Sequence, residues 1–330
     1  MTDLSGPSAA ISLLPSLAEI EAAAEIVHQT IAPTPQINWP LLSARAGAKV
    51  WVKHENHSPL GAFKVRGGLV YMETLRRREP AVRGVIAATR GNHGQSVAFA
   101  AKRAGVRSVI VVPHGNSTEK NAAMRALGAE LIEFGSDFQE AYEHAAALAD
   151  KEQLHFVPSF DSVLVSGVAS YALELFRSVA DLDAVYVPIG LGSGICGCIA
   201  VRNALGLKTE IIGVVAASAP TYLLSLAAGS VVSAPVQPTV ADGMACRTAD
   251  PLALQIVAAG ACRVLTVEES EIREAMRYLF SDTHNSAEGA GAAALAGLFK
   301  DGHTRGRQLA VILSGGNVDS QTFGEVLLEK

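Results

Sequence analysis

The chain has no excess of positive charge: its 330 residues carry 27 Lys and Arg against 32 Asp and Glu, a formal net charge of −5. That balance excludes a protein built to follow nucleic-acid phosphates, so no nucleic-acid partner is expected. Aromatic residues are scarce, at 5%, and there are only four cysteines, Cys196, Cys198, Cys246 and Cys262. These have no C-x-x-C spacing and no framework density, which excludes a small disulfide-stapled scaffold and points to reduced thiols in a cytoplasmic protein. A smooth hydrophobic run is missing as well. Two stretches lack charge, residues 184–201 and 211–241. The first contains Pro188 and four glycines, and the second is broken by Pro220, Pro235 and Pro238. Neither reads as a membrane helix. The N-terminal MTDLSGPSAAISLLPSL has no Lys or Arg before its apolar part, so a secretory leader is not expected.

Apolar residues make up 49% of the chain and glycines number 30. With so few aromatics, the apolar weight falls on Ala, Val, Leu and Ile, the composition of helices packed closely on a sheet. No internal repeat or low-complexity tract interrupts it. A short β-rich run followed by a helical pattern recurs instead. Residues 49–53, 84–88, 108–112, 130–134, 184–188, 210–215 and 308–313 read as strands. Helical patterns cover 62–77 and 92–104, a further helix is one that Ser117 can cap, and another has Phe138, Ala141, Tyr142, Ala145 and Ala149 on one stripe. The alternation predicts an α/β fold with two open, mostly parallel sheets flanked by helices. Such sheets gather ligands at the carboxyl ends of their strands.

Four loops at those ends can carry chemistry: residues 59–68 (PLGAFKVRGG), 89–96 (TRGNHGQS), 188–197 (PIGLGSGICG) and 314–319 (SGGNVD). In the third, glycines at 190, 192, 194 and 197 follow a strand and precede a helix. Such a loop can turn amide groups toward an anion at a helix start, or serve only to let backbones pack closely. It also matches G-x-G-x-x-G, yet the next strand ends Val214-Val215-Ala216, without the acid a dinucleotide site requires. A monophosphate is therefore favoured over a dinucleotide, and a nicotinamide-dependent dehydrogenase is disfavoured. Lys64 lies among Ala62, Phe63 and Val65, where it can snorkel to water or, if desolvated beside a phosphate, form a Schiff base. Asn92, His93 and Ser314 can each be simple helix-start caps. All of them fall where an α/β sheet builds its site.

Taken together, the motifs resemble the serine/threonine dehydratase family of fold-type II pyridoxal-phosphate enzymes, over residues 31–319. The resemblance rests on GAFKVRGG, RGNHGQS, GLGSG, VADG, SGGN and the segment VPHGNSTEKNAAMRALGAELI. It implies a tryptophan synthase β-like fold with pyridoxal 5'-phosphate as cofactor. It implies a large cofactor-binding domain from residues 1–83 and 158–330 and a small inserted domain at 84–157, the site lying in the cleft between them. By the same resemblance Lys64 holds the cofactor and acts as catalytic base, with Phe63 near the ring. Gly190, Leu191, Gly192, Ser193 and Gly194 bind its phosphate, Asn92 its 3-oxygen, and Ser314 faces the pyridine nitrogen. Thr89, Arg90, Gly91, Asn92 and His93 contact the substrate, and Glu288 matches an acid near the cofactor. A neutral hydroxyl at Ser314 does not keep the ring nitrogen protonated. Loss of a β-hydroxyl then outcompetes longer-lived carbanion chemistry.

The implied activity is α,β-elimination of water from L-threonine, L-serine or a related 3-hydroxy amino acid, giving a 2-oxo acid and ammonia. A homodimer or larger homo-oligomer is implied too. The chain departs from the family pattern at several points. Arg90 replaces the small residue usual before G-N-H, either pairing with a surface acid or gripping a second substrate carboxylate. Val215 and Thr221 stand where metal-binding members carry carboxylates, so no divalent-metal site is expected there. Residues 167–170 read GVAS where many members read G-Q-G-T, and Ser159 replaces a common Asn. Residues 59–62 also depart from the commoner T-G-S. The segment after SGGN is short, so isoleucine feedback through a C-terminal regulatory domain is not expected. Two alternatives remain at this stage: a β-replacement enzyme of the cysteine synthase kind, and a non-catalytic amino-acid-binding regulator.

Overall fold

The computed structural model describes residues 11–237 and 239–329. The first ten residues, Pro238 and Lys330 lie outside the described residues, and with them the start of the region considered for a leader. In chain order the strands are β1 (Gln36–Asn38), β2 (Lys49–His54), β3 (Gly84–Ala88), β4 (Arg107–Val112) and β5 (Glu130–Glu133), then β6 (His155–Phe156), β7 (Ala184–Pro188), β8 (Glu210–Ala216), β9 (Arg263–Val267) and β10 (Gln308–Leu313). Six of them form one sheet in the order β1-β2-β10-β7-β8-β9, and the other four form β5-β4-β3-β6. Every pairing is parallel except that of β1 with β2.

Parallel sheets are covered on both faces, which is why their strands read as unbroken apolar runs. In β3 the side chains alternate. Val85 and Ala87 join a cluster with Val97 and Ala101, while Ile86 and Ala88 face Ala141, Ala145 and Ala149. In the larger sheet Val185, Ile211, Val215 and Ile312 face one cluster, and Ala184, Ile212, Val214 and Val311 the other. The helices that supply these layers begin with α1 (Leu17–His28), α2 (Pro40–Ala46), α3 (Lys64–Arg78), α4 (Asn92–Ala104), α5 (Thr118–Ala126), α6 (Phe138–Glu152) and α7 (Ser162–Ser178). They continue with α8 (Ser193–Ala204), α9 (Thr221–Ala228), α10 (Pro251–Gly260), α11 (Glu269–Thr283), α12 (Gly289–Asp301) and α13 (Ser320–Leu328).

The expected strands and helices are present, with two differences. Tyr142, placed on one stripe with the α6 alanines, is 40% exposed and meets Phe156 edge-on at 5.0 Å. Small Ala141, Ala145 and Ala149 form the buried line, and the larger ring sits at its margin. Strands β1, β6 and β9 were not foreseen, because two are only three and two residues long and the third is mostly half-buried. Among the described residues, no helix is long and apolar enough to cross a membrane.

Candidate active site

The site begins where β10 ends. The N–H of Phe63 donates to the Ser314 carbonyl at 3.0 Å, and Ala62 bridges to Gly315, so the start of α3 is pinned to the end of β10. Lys64 is the first residue of α3. Its Nζ lies 3.3 Å from Ser193 Oγ and 5.3 Å from the centre of the Phe63 ring. The amine is thus turned inward, toward the start of α8, rather than out to water. Burial without a counter-charge pushes it down to about 8, because desolvation disfavours the ammonium. Ser96 Oγ donates to the Lys64 carbonyl at 2.6 Å, holding this first turn against α4.

The glycine loop after β7 leads into α8. Gly192 sits at φ +100, a conformation that L side chains rarely adopt, and a Cβ there would stand 2.8 Å from both Ala253 Cβ and Tyr222 Oη. A Cβ on Gly190 would stand 2.6 Å from the Gly243 carbonyl oxygen. Close packing therefore does require these glycines. They also leave α8 without a side-chain cap: its first internal bond runs from Cys196 N–H to the Gly192 carbonyl. The amides before that one have no partner within the helix, which makes the turn ready for an anion. Tyr222 Oη donates to the Leu191 carbonyl at 2.8 Å and Tyr171 Oη to that of Gly194 at 2.9 Å, so the loop is held from outside. Burial of Cys196 and Cys198 in this helix pushes both thiols up, Cys198 to about 12.

The loop after β3 faces this arrangement. Thr89 Oγ1 accepts from the N–H groups of Gly91 (3.0 Å) and Gly94 (3.3 Å), which shapes the turn into α4. Asn92 Nδ2 donates to Glu288 Oε1 at 2.7 Å, and its Oδ1 accepts from Asn317 Nδ2 at 2.8 Å. One Asn92 N–H remains for a ligand. His93 is buried with its Nε2 unpartnered. Burial, then the Lys64 charge, pushes it down to about 3, so the ring is neutral. Glu288 Oε2 is likewise buried and unpartnered. Burial and nearby Asp242 raise this carboxyl to about 7, against the lowering pull of Lys120 and the Asn92 bond. Ser314 Oγ donates weakly to the Ala290 carbonyl, at 3.4 Å. Arg90 is exposed and makes no ion pair among the described residues. Thr221, one of the two positions weighed for a metal, donates to the Cys246 carbonyl at 2.7 Å, and no metal-holding group of three His, Cys, Asp or Glu occurs among the described residues.

Apart from exposed Arg90, the residues assigned from sequence therefore converge from five chain segments. Several neighbours were missed. Lys120 Nζ donates to Asp242 Oδ2 at 2.7 Å, and Asn317 also donates to the Leu60 carbonyl. Beneath α3 lies a buried ionic cluster. Arg66 donates to Glu55 (2.7 and 3.0 Å), Glu174 (2.6 and 2.9 Å), Ser170 and Thr34, while Lys53 donates to Glu174 and to the Thr34 carbonyl. Burial alone pushes Glu174 up, but Arg66 and Lys53 outweigh it and hold the carboxyl at about 2. The motif GAFKVRGG contained Arg66. The signal overlooked was a cation two residues beyond Lys64, set in the buried apolar stretch from Val65 to Val70.

The family described as pyridoxal-phosphate dependent enzyme matches residues 27–315. An L-threonine ammonia-lyase of Geobacter sulfurreducens is 36% identical over 93% of this chain and 77% of its own. One from Thermotoga maritima is 31% identical over 94% and 78%. Among solved structures, the processed form of threonine deaminase isoform 2 from Solanum lycopersicum superposes with a TM-score of 0.87, at 29% identity, over 95% of this chain and 94% of that one.

Proposed function

The chain belongs to the pyridoxal-phosphate dependent enzymes, and from that premise we propose which of its residues do the chemistry and on what. It is an ammonia-lyase of the threonine dehydratase type with pyridoxal 5'-phosphate as cofactor. The residues present fit that group: an inward-turned lysine amine, an uncapped helix start 3.3 Å from it at Ser193, and two buried polar atoms without partners, His93 Nε2 and Glu288 Oε2. Buried polar groups are normally satisfied, so such a pair beside one cleft marks where a ligand belongs.

In this reading Lys64 holds the cofactor, Gly190, Leu191, Gly192, Ser193 and Gly194 hold its phosphate, and Phe63 borders the ring. Asn92 offers its free N–H to the ring oxygen, and Ser314 meets the ring nitrogen with a neutral hydroxyl. Bound there, the cofactor supplies a conjugated electron sink for the charge left when a proton leaves the substrate α-carbon. The Lys64 amine, free of any acid partner, takes that proton and can return it. Thr89, Gly91, Asn92 and His93 form the loop that grips the substrate carboxylate. The β-hydroxyl leaves with a proton as water, and the released enamine takes up water to give the 2-oxo acid and ammonia. The Lys64 amine, turned inward to 3.3 Å from Ser193 Oγ at the uncapped start of α8 and without a counter-ion, carries this assignment.

The substrate is L-threonine, L-serine or a related 3-hydroxy amino acid. Release of 2-oxo acid across L-threonine, L-serine, L-threo-3-phenylserine and both 3-hydroxyaspartate diastereomers decides among them. Lys64→Ala is expected to abolish turnover on every active substrate, and a variant with normal turnover overturns the assignment. The sheet topology supports a small domain at 84–157 inserted into a large one formed by 1–83 and 158–330. A cytoplasmic homodimer or larger assembly belongs to the same reading, and sedimentation velocity tests the assembly.

A further inference from the structure

We infer that Lys120 is a positioning residue: a strap across the cleft that holds the loop at residues 89–93 in register with the glycine loop at 190–194. This rests on those two loops forming the site, but not on which amino acid the site takes. Lys120 stands in the first turn of α5, where a cation opposes the helix dipole and an acid is the favoured choice. Its place is therefore not explained by its own helix.

Its contacts explain it. The lysine stem lies over Gly91, where a Cβ would come within 2.9 Å of Lys120 Cδ. Its amine donates to Asp242 Oδ2 at 2.7 Å. Asp242 opens the short 3-10 turn Asp242–Met244, and the carbonyl of the next residue, Gly243, abuts Gly190. One side chain thus spans from Gly91, next to Asn92, to the turn that backs the phosphate loop. Asp242 and Glu288 both act on its charge. Burial draws the Lys120 ammonium toward neutrality, and the carboxylates of Glu288, Asp242 and Asp319 outweigh it. The helix that carries Lys120 is tied down beside it. Ser117 Oγ donates to Asp319, and Glu119 accepts from the N–H (3.0 Å) and Oγ (2.6 Å) of Ser320. With its base anchored, the lysine can transmit the position of one loop to the other.

The test is hydrogen exchange, followed by mass spectrometry, on the holoenzyme and on Lys120→Met, Lys120→Arg and Asp242→Asn. Lys120→Met and Asp242→Asn are expected to raise exchange about ten-fold in peptides covering 89–95 and 240–244, with α5 itself unchanged. Lys120→Arg should restore protection, and KM for the amino acid should rise more than kcat falls in the other two. Unchanged exchange in both loops overturns the inference. So does faster exchange in α5 together with the loops, which means only that the helix has loosened. The exchange pattern is read without turnover, so failure of the assigned reaction would appear separately as absent 2-oxo acid.

Discussion

Replacing Arg66 by Met is expected to cost the protein about 3–5 kcal/mol of stability, the range for removing one partner of a buried ion cluster. Arg66 is completely buried and makes six hydrogen bonds, four of them to the two carboxylates Glu55 and Glu174. Counting bonds at about 0.5–1.5 kcal/mol each would give a broader and higher range. The orphaned charges decide the matter instead. Glu174 keeps Lys53 at its Oε2, whereas Glu55 keeps only the Thr34 hydroxyl, at 2.5 Å. The uncompensated Glu55 carboxylate is thus the main source of the loss. For a chain of this size the loss corresponds to a Tm decrease of about 4–7 °C. Thermal and urea melts of the holoenzyme measure it, and Arg66→Met with Glu55→Gln should recover part of it by removing the stranded charge. A loss below about 1 kcal/mol, or no recovery in the double variant, would show that water already reaches the cluster and refute the reasoning.

Three further outcomes follow from the site. Gly192→Ala should weaken cofactor binding at least about ten-fold, since the strained φ alone costs about 1–3 kcal/mol; titration of the apoenzyme by absorbance reads this, and unchanged affinity would place the phosphate elsewhere. If Arg90 selects a second carboxylate, Arg90→Ala should lower kcat/KM for 3-hydroxyaspartate about 10–100-fold and leave threonine within about two-fold, the scale of a charge-assisted hydrogen bond; equal losses on both would assign Arg90 to structure. Glu288 has its folded pKa raised from the ordinary carboxyl range to about 7, so the stability it contributes is complete below about 4.5 and lost as pH rises to 7. In cofactor-free protein, the stability of Glu288→Gln relative to the parent should therefore climb between pH 5 and 8, and a flat difference over that range contradicts the assignment.

Much of this was legible because the informative residues obey local rules. Asn92 begins α4 and Ser117 caps α5 as a sequence reading places them, since β-rich runs and helix-start residues act over a few positions. The loop residues could be named because parallel strands put their carboxyl ends on one edge. What could not be seen is long-range pairing. Lys120 and Asp242 lie 122 positions apart, and Arg66 and Glu174 lie 108 apart. No periodicity reports such partners. A cation in the first turn of α5 and another amid the buried apolar start of α3 were the only local hints, since each is unfavourable without a distant acid.

β10 lies between β2 and β7, with Leu309 opposite Val50 on one side and Ala184 on the other. Its neighbour β2 is more than 250 residues upstream, whereas β3 to β6 all arise from one continuous stretch of chain. During synthesis the four-stranded sheet can close early. The six-stranded sheet must wait with its centre open until residue 313 has emerged, because loop closure over such a separation comes late. The start of α3 is pinned to Ser314, so Lys64 has no fixed place before then. The nascent chain cannot assemble a competent centre ahead of its last strand, and until that strand arrives the unpaired edges of β2 and β7 are where misassembly and chaperone capture would be concentrated.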